Sequence, residues 1–470
     1  MQQRPNHQPT AAWLTAGVGA ASASWVTAYL LHLPGLNLPV PLQVAVLAVV
    51  LFGALAIAGR TEGSGRLRTG LLAGLTAGSI NLLLLGSLLV EQPEGVSEME
   101  SAANDFRPNA VAVVLGFLAF STALGTGAWA LTKRRFVSQG GDARRWHARL
   151  AIVSAVTFLP LLAVGGVVTS TESGMAVPDA VTSYGAVSFL FPFSLMSEPR
   201  IYFEHVHRLF GSLVGLLTLI VMLRTFAVDR RRSVQIFAAA VFVAVTIQGI
   251  LGIVRVGENL AWMGSIHGVF AQIVFGAAVI LALALWPWKN ATPGCITTST
   301  RPWANAAIIC LIIQLTFGAL YRHLGSTHAL ISHVVFSIIV AGACMILGFS
   351  CQTASGRDGA ATGTRRCGIA LVAVVGVQFV LGWVALVLVM QGGGHSPVPL
   401  ADELSTAPAV RPEEALITTI HQATGASLLA LACLARGYLS RLRIAPRHTE
   451  EHTPRASDAP HRATLQPRAS

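Results

Sequence analysis

Apolar runs of about twenty residues follow one another along almost the whole chain, divided by short polar stretches, and each is long enough to cross a roughly 30 Å hydrocarbon core. Twelve are read at 11–32, 40–59, 69–90, 109–132, 149–170, 201–224, 234–254, 260–286, 303–321, 329–350, 367–390 and 413–437. The pattern predicts an all-α polytopic membrane protein of about twelve transmembrane helices. Composition sharpens this reading: of 470 residues, 53% are hydrophobic and 11% charged, whereas soluble domains carry about 25% charged residues. A mean hydropathy of +0.63 excludes a water-soluble globule and a disordered or fibrous chain.

A net charge of +11 suggests nucleic acid until its placement is read. Lys133-Arg134-Arg135, Arg144-Arg145, Arg230-Arg231-Arg232 and Arg365-Arg366 sit in alternate short loops, as cytoplasmic loops do. The loops between them are neutral, mixed or acidic, among them Glu91 to Asp105, with Arg255 and Arg322 as isolated outer basic residues. Alternation over twelve spans places both termini in the cytoplasm, makes the lipid bilayer the surrounding medium and argues against nucleic acid as a partner. The tail 441–470, rich in Arg, His, Pro and Ser, is expected to be a disordered basic cytoplasmic segment. The polar start, Met1 to Thr10, has no features of a cleavable signal or transit peptide. The six cysteines form no CxxC motif and indicate no disulfide framework.

From the fifth span onward the chain reads as two similar halves of four helices. Gln248-x-x-Leu251-Gly252 recurs as Gln378-x-x-Leu381-Gly382, His207 as His333, Gly165 as Gly318 and His267 as His421. The offsets differ because each half has one longer outer loop, 171–200 in the first and 391–412 in the second. Two tandem four-helix bundles, 141–290 and 291–440, preceded by a four-helix extension over 1–140, are the expected organisation.

Ionisable groups inside membrane spans are costly and commonly functional. His207, His267, His333 and His421 lie at similar depth near the outer ends of even-numbered spans, two in each half. Two facing imidazoles are what bis-axial ligation of a haem iron requires. A helix–helix hydrogen bond from each histidine is the alternative, and the fourfold recurrence favours ligation. Zinc lacks cysteine partners at this depth. His328 competes with His333 as a ligand, while His205 and His323 are expected to be solvated at the interface. Glu204 precedes His207 by three residues and shares its helix face; it is read either as an interfacial carboxylate paired with Arg208 or as an acid/base group at a reactive site. Its counterpart in the second half is Leu330, so the two bundles differ chemically. Arg208 is expected to reach outward to a haem propionate or a lipid phosphate.

The stretch Phe203-Glu204-His205-Val206-His207-Arg208-Leu209-Phe210-Gly211 resembles the E-x-x-H-R signature of the haem A synthase family. The run from Gly165-Gly166-Val167-Val168-Thr169-Ser170 through Ser173-Gly174 to Pro178-Asp179 is similar to the family's first outer loop, although Ala180-Val181 stand where the family usually has Trp-Pro. Gly264-Ser265-Ile266-His267 and Ile420-His421-Gln422-Ala423-Thr424-Gly425 are similar to its later histidine segments, and the likeness covers roughly 145–440. The resemblance implies an oxidoreductase of the cell inner (cytoplasmic) membrane that converts haem O to haem A for cytochrome oxidase assembly. It oxidises a ring methyl to a formyl group by successive hydroxylations through a geminal diol. It further implies haem O between His207 and His267 with Glu204 as the catalytic residue, Arg208 in the binding set, and a haem B cofactor between His333 and His421. Partners so implied are a haem O synthase, cytochrome oxidase subunits and an electron acceptor. The same residues also suit a non-enzymatic di-haem membrane electron carrier, for which Glu204 is dispensable; a repeat-built transporter without haem is the second alternative.

Overall fold

The computed structural model describes residues 10–36, 38–61, 67–92, 105–132, 143–177, 179, 181–258, 260–288, 294–394 and 409–444. The tail beyond Ile444, the loop with Lys133-Arg134-Arg135, most of the acidic loop after Glu91, and Pro178 and Ala180 of the outer loop lie outside these residues; the tail's first residues, expected to be disordered, are instead ordered, with Arg443 and Ile444 paired to Cys295 and Ile296.

The helices in chain order are α1 Thr10–Leu31, α2 Val40–Thr61, α3 Leu67–Leu85, α4 Ala110–Leu131, α5 Ala143–Ser170, α6 Pro199–Val228, α7 Arg232–Glu258, α8 Ala261–Leu285, α9 Thr300–Leu324, α10 Thr327–Gln352, α11 Gly359–Gln391 and α12 Pro412–Leu439. Among the described residues, twelve helical spans are long and apolar enough to cross a membrane. The protein is an all-α, multi-pass membrane protein. Several helices outrun their apolar cores by one or two turns. α11, read from 367, begins at Gly359, because Ala360 and Ala361 favour helix and Arg365 ties its first turns to the carbonyls of Ala354 and Gly356. The described β-structure is limited to a two-residue parallel pair, Cys295–Ile296 with Arg443–Ile444, and isolated bridges.

Packing divides the helices into three groups. α5 to α8 close a ring in which each helix touches the next and α8 returns to α5. α9 to α12 close a second ring in the same way, and the two join where α5 meets α12 and α8 meets α9 and α12. Lipid is as apolar as leucine, so such contacts depend on close packing rather than on hydrophobic burial. Small residues provide it. In the extension, Gly70 and Gly74 of α3 lie against Gly125 of α4, where no Cβ fits without a shift.

The extension reaches the first ring through α1. Trp25 and Tyr29 pack edge-on against Phe210 of α6, and Tyr29 stacks on Tyr202 with ring centres 5.9 Å apart. The Tyr202 hydroxyl donates to the Tyr29 carbonyl at 2.7 Å. α1 also packs along α5.

Candidate functional site

Each ring is built from two helical hairpins, and the same contact recurs in all four. A glycine on the first arm lies under an imidazole on the second. A Cβ on Gly165 would lie 3.0 Å from His207 Cε1, on Gly252 3.2 Å from His267 Cε1, on Gly318 2.9 Å from His333 Cε1, and on Gly382 3.1 Å from His421 Cε1. Hydrogen is the largest side chain these four positions accept while the rings stay in place.

Four residues before each glycine stands Leu161, Gln248, Gln314 or Gln378, whose backbone carbonyl faces the imidazole. His333 closes this contact fully, Nδ1 donating to the Gln314 carbonyl at 3.0 Å. In the other three the Nδ1 atoms approach the carbonyl without a completed hydrogen bond. The side-chain amides add a second tie: Gln248 Nε2 donates to the His267 carbonyl and Gln314 Nε2 to the His333 carbonyl, both at 2.8 Å. Gln378 Nε2 instead lies 3.4 Å from His421 Nε2. A carbonyl at Nδ1 favours the tautomer that leaves Nε2 free to bind a metal.

The rings bring the histidines together in two pairs. His207 and His267 have ring centres 6.4 Å apart with planes at 73°. His333 and His421 have centres 6.2 Å apart with planes at 76°. Two imidazoles on opposite sides of one metal, each bonding at about 2 Å, have centres about 6.3 Å apart, so both pairs fit axial ligation of a single ion. Among the described residues no group of three His, Cys, Asp or Glu could hold a metal. Any metal here brings its remaining ligands with it, as an iron porphyrin does. His328 is exposed, and His333 is the residue that faces His421.

Described residues of the loop 171–198 fold over the turn of α6 that carries His207. Glu204, 3% exposed, accepts from the Val177 amide at 2.8 Å and from Arg208 at 2.7 Å. Arg208 does not extend outward. It turns under the loop and donates to the carbonyls of Thr182, at 2.7 Å, and Val177, at 3.2 Å. Tyr184 donates to the Ala176 carbonyl at 2.9 Å and stacks on Phe191, and burial with nearby carboxylates pushes its phenol up to about 12. Glu172 ends α5 in the left-handed region at φ 54° and pairs with Arg322, which reaches over from α9 of the second ring.

The structure corrects the expected solvation of His205 and His323. His205 is not solvated: it is 0% exposed, its ring lies 4.8 Å from that of Phe191, and neither ring nitrogen has a hydrogen-bond partner. The loop folds back over the end of α6 and covers what a bare helix terminus would expose. Arg322 pairs with Glu172, and Arg255 lies beside Gly174 of the loop. His323 is half-buried against Gly264.

A family model described as cytochrome oxidase assembly protein (COX15-CtaA) matches residues 148–332. The match takes in Glu204, His207, Arg208 and His267 and stops one residue short of His333. This part of the chain is similar to that family. A protein named Heme A synthase, from Exiguobacterium sp. (strain ATCC BAA-1283 / AT1b), is 30% identical over 193 residues, 39% of this chain and 61% of that protein. The chain thus spans less than two thirds of this relative's length. No solved structure matches the chain. Neither Gln314 nor Leu161 stood out in the sequence; the recurring interval Gln-x-x-x-Gly was the signal available for the first.

Proposed function

We propose that the protein is an oxidoreductase of haem A synthesis, taking haem O between His207 and His267, oxidising one ring methyl to a formyl group, and holding haem B between His333 and His421. The observation that carries this reading is the pairing of four imidazoles at a separation suited to one iron in each ring. When bound, haem B supplies one-electron redox chemistry.

The chain's own groups bind, orient and enclose. The four glycines fix how deeply each imidazole sits, and the facing carbonyls direct its Nε2 inward. Loop 171–198 folds over the turn of α6 that carries His207, which limits access of bulk water to the reacting edge. Both carboxylate oxygens of Glu204 are engaged, one by the loop and one by Arg208, so its proposed part is to hold the loop closed; giving or taking a proton requires release of one of those bonds. Leu330 replaces this carboxylate in the second ring, which suits a site that retains its group rather than transforms it. The extension steadies α6 through Trp25 and Tyr29 of α1.

In this reading the histidine-bearing ends face away from the cytoplasm, both termini face it, and the membrane is the cytoplasmic one. A haem O synthase is the proposed source of substrate, cytochrome oxidase the destination of product, and an electron acceptor completes the reaction. Expression of the full chain beside a haem O source, followed by acid-acetone extraction and chromatography, tests the proposal. Formyl haem with wild type and none with His207→Ala supports it; haem O unchanged by wild type refutes it.

A further inference from the structure

Three arginines and two carboxylates gather where the loop closes over the first ring. Glu204 is held by Arg208 and Glu172 by Arg322. The third arginine, Arg255, stands in the last turn of α7 and is partly buried. Among the described residues it makes no hydrogen bond and no ion pair. Glu204 and Glu172 are the carboxylates whose charge bears on it, but neither closes an ion pair with it.

The guanidinium is threaded between two glycines. A Cβ on Gly174 would lie 2.7 Å from Arg255 Nη2, and one on Gly264 would lie 3.2 Å from its Nε. Gly174 belongs to the covering loop; Gly264 precedes His267 by three residues on α8. Arg255 follows by three residues Gly252, the glycine under His267, and its charge acts on both His207 and His267. Glu258, one turn further on, is exposed and does not pair with it. The offset linking Gly252 to Gly382 places Ala385, a buried apolar residue, at the matching position of the second ring.

A partly buried arginine whose neighbouring carboxylates are already held by other arginines keeps its donors for an anionic ligand. Its planar fork of donors matches a carboxylate in bidentate fashion. We infer that Arg255 anchors a carboxylate of the ligand clasped by His207 and His267, so that the first site selects a porphyrin with free acid side chains. This rests on the haem reading of that pair. A lipid phosphate has the same anionic chemistry, and the experiment separates the two sources.

The full chain in phosphatidylcholine nanodiscs is loaded with haem O or with haem O dimethyl ester, in which both acid groups are capped. Retained pigment is extracted and separated chromatographically, so that haem B in the second ring does not interfere. Wild type is expected to hold the free acid about tenfold more tightly than the ester, the worth of one charge-assisted hydrogen bond. In Arg255→Gln the two forms bind alike, and Arg255→Lys recovers part of the preference. Gly174→Ala, which displaces the guanidinium without removing it, lowers the preference as well. An undiminished acid preference in Arg255→Gln overturns the inference. So does a loss confined to capture of phosphatidylglycerol vesicles, which marks a lipid site. His207→Ala separates this inference from the reading beneath it: if haem O retention is unchanged in that variant, the haem reading itself fails; if it is lost there while Arg255→Gln behaves as wild type, only the role of Arg255 is wrong.

Discussion

Gly318→Ala isolates the packing that sets the second histidine pair. The new methyl would stand 2.9 Å from His333 Cε1 and 3.1 Å from its Nδ1, whereas carbon atoms settle at about 3.5–4.0 Å. The imidazole must retreat by roughly 0.5–1 Å, and the 3.0 Å bond from Nδ1 to the Gln314 carbonyl goes with it. Alanine gains about 1 kcal/mol of helix propensity over glycine, and overpacking costs about 1–3 kcal/mol. The net cost is about 0–2 kcal/mol, so the melting temperature falls modestly at most. Coordination is the sensitive readout. The variant is expected to lose a large part of the low-spin bis-imidazole absorption of the second site and to release haem B on dilution. Gly342→Ala on α10 is the control, because nothing lies within 4 Å of a Cβ there; it keeps the wild-type spectrum. A Gly318→Ala protein with unchanged spectrum and unchanged haem B content refutes the claim that this glycine sets the ligand.

Glu204→Gln removes a buried charge-assisted bond to Arg208 worth about 1.5–3 kcal/mol; limited proteolysis within 171–198 should quicken and formyl haem output should fall. Tyr202→Phe deletes the 2.7 Å bond to the Tyr29 carbonyl between extension and first ring, a loss of about 1 kcal/mol in thermal stability with haem spectra unchanged. The side-chain hydrogen bond from Arg231 holds the Asp229 carboxyl below its ordinary 3.8. A depressed folded pKa contributes stability that is present above the unfolded value and lost as pH falls through the folded one; thermal melts of wild type should therefore decline below about pH 4, and Asp229→Asn should flatten that limb.

The twelve spans were legible because a bilayer leaves backbone groups no partner but their own helix, which forces long apolar runs into the chain. The histidine pairing was legible from offsets alone, since His207 and His333, like His267 and His421, sit at matched depth. The hairpin-level repeat was not. Gln314-Leu-Thr-Phe-Gly318 shares only its ends with Gln248-Gly-Ile-Leu-Gly252, and in the first hairpin the amide gives way to Leu161. The interval from glycine to histidine is 15 residues in the two short hairpins, Gly252 to His267 and Gly318 to His333, but 42 and 39 in the long ones, which hides the common contact. The covering loop escaped for another reason. Burial of His205 depends on Phe191, fourteen residues away through irregular backbone, and the partner of Arg322 lies 150 residues back at Glu172. Such contacts follow from tertiary packing and leave no local periodicity.

Reduced-minus-oxidised difference spectra of purified wild type, His207→Ala and His333→Ala test the central claim most directly, with the pigments of each extracted and identified. The account predicts a low-spin bis-imidazole spectrum in wild type, loss of haem O and haem A but not haem B in His207→Ala, and loss of haem B in His333→Ala. Wild-type protein without a Soret band, or with spectra indifferent to both substitutions, contradicts it.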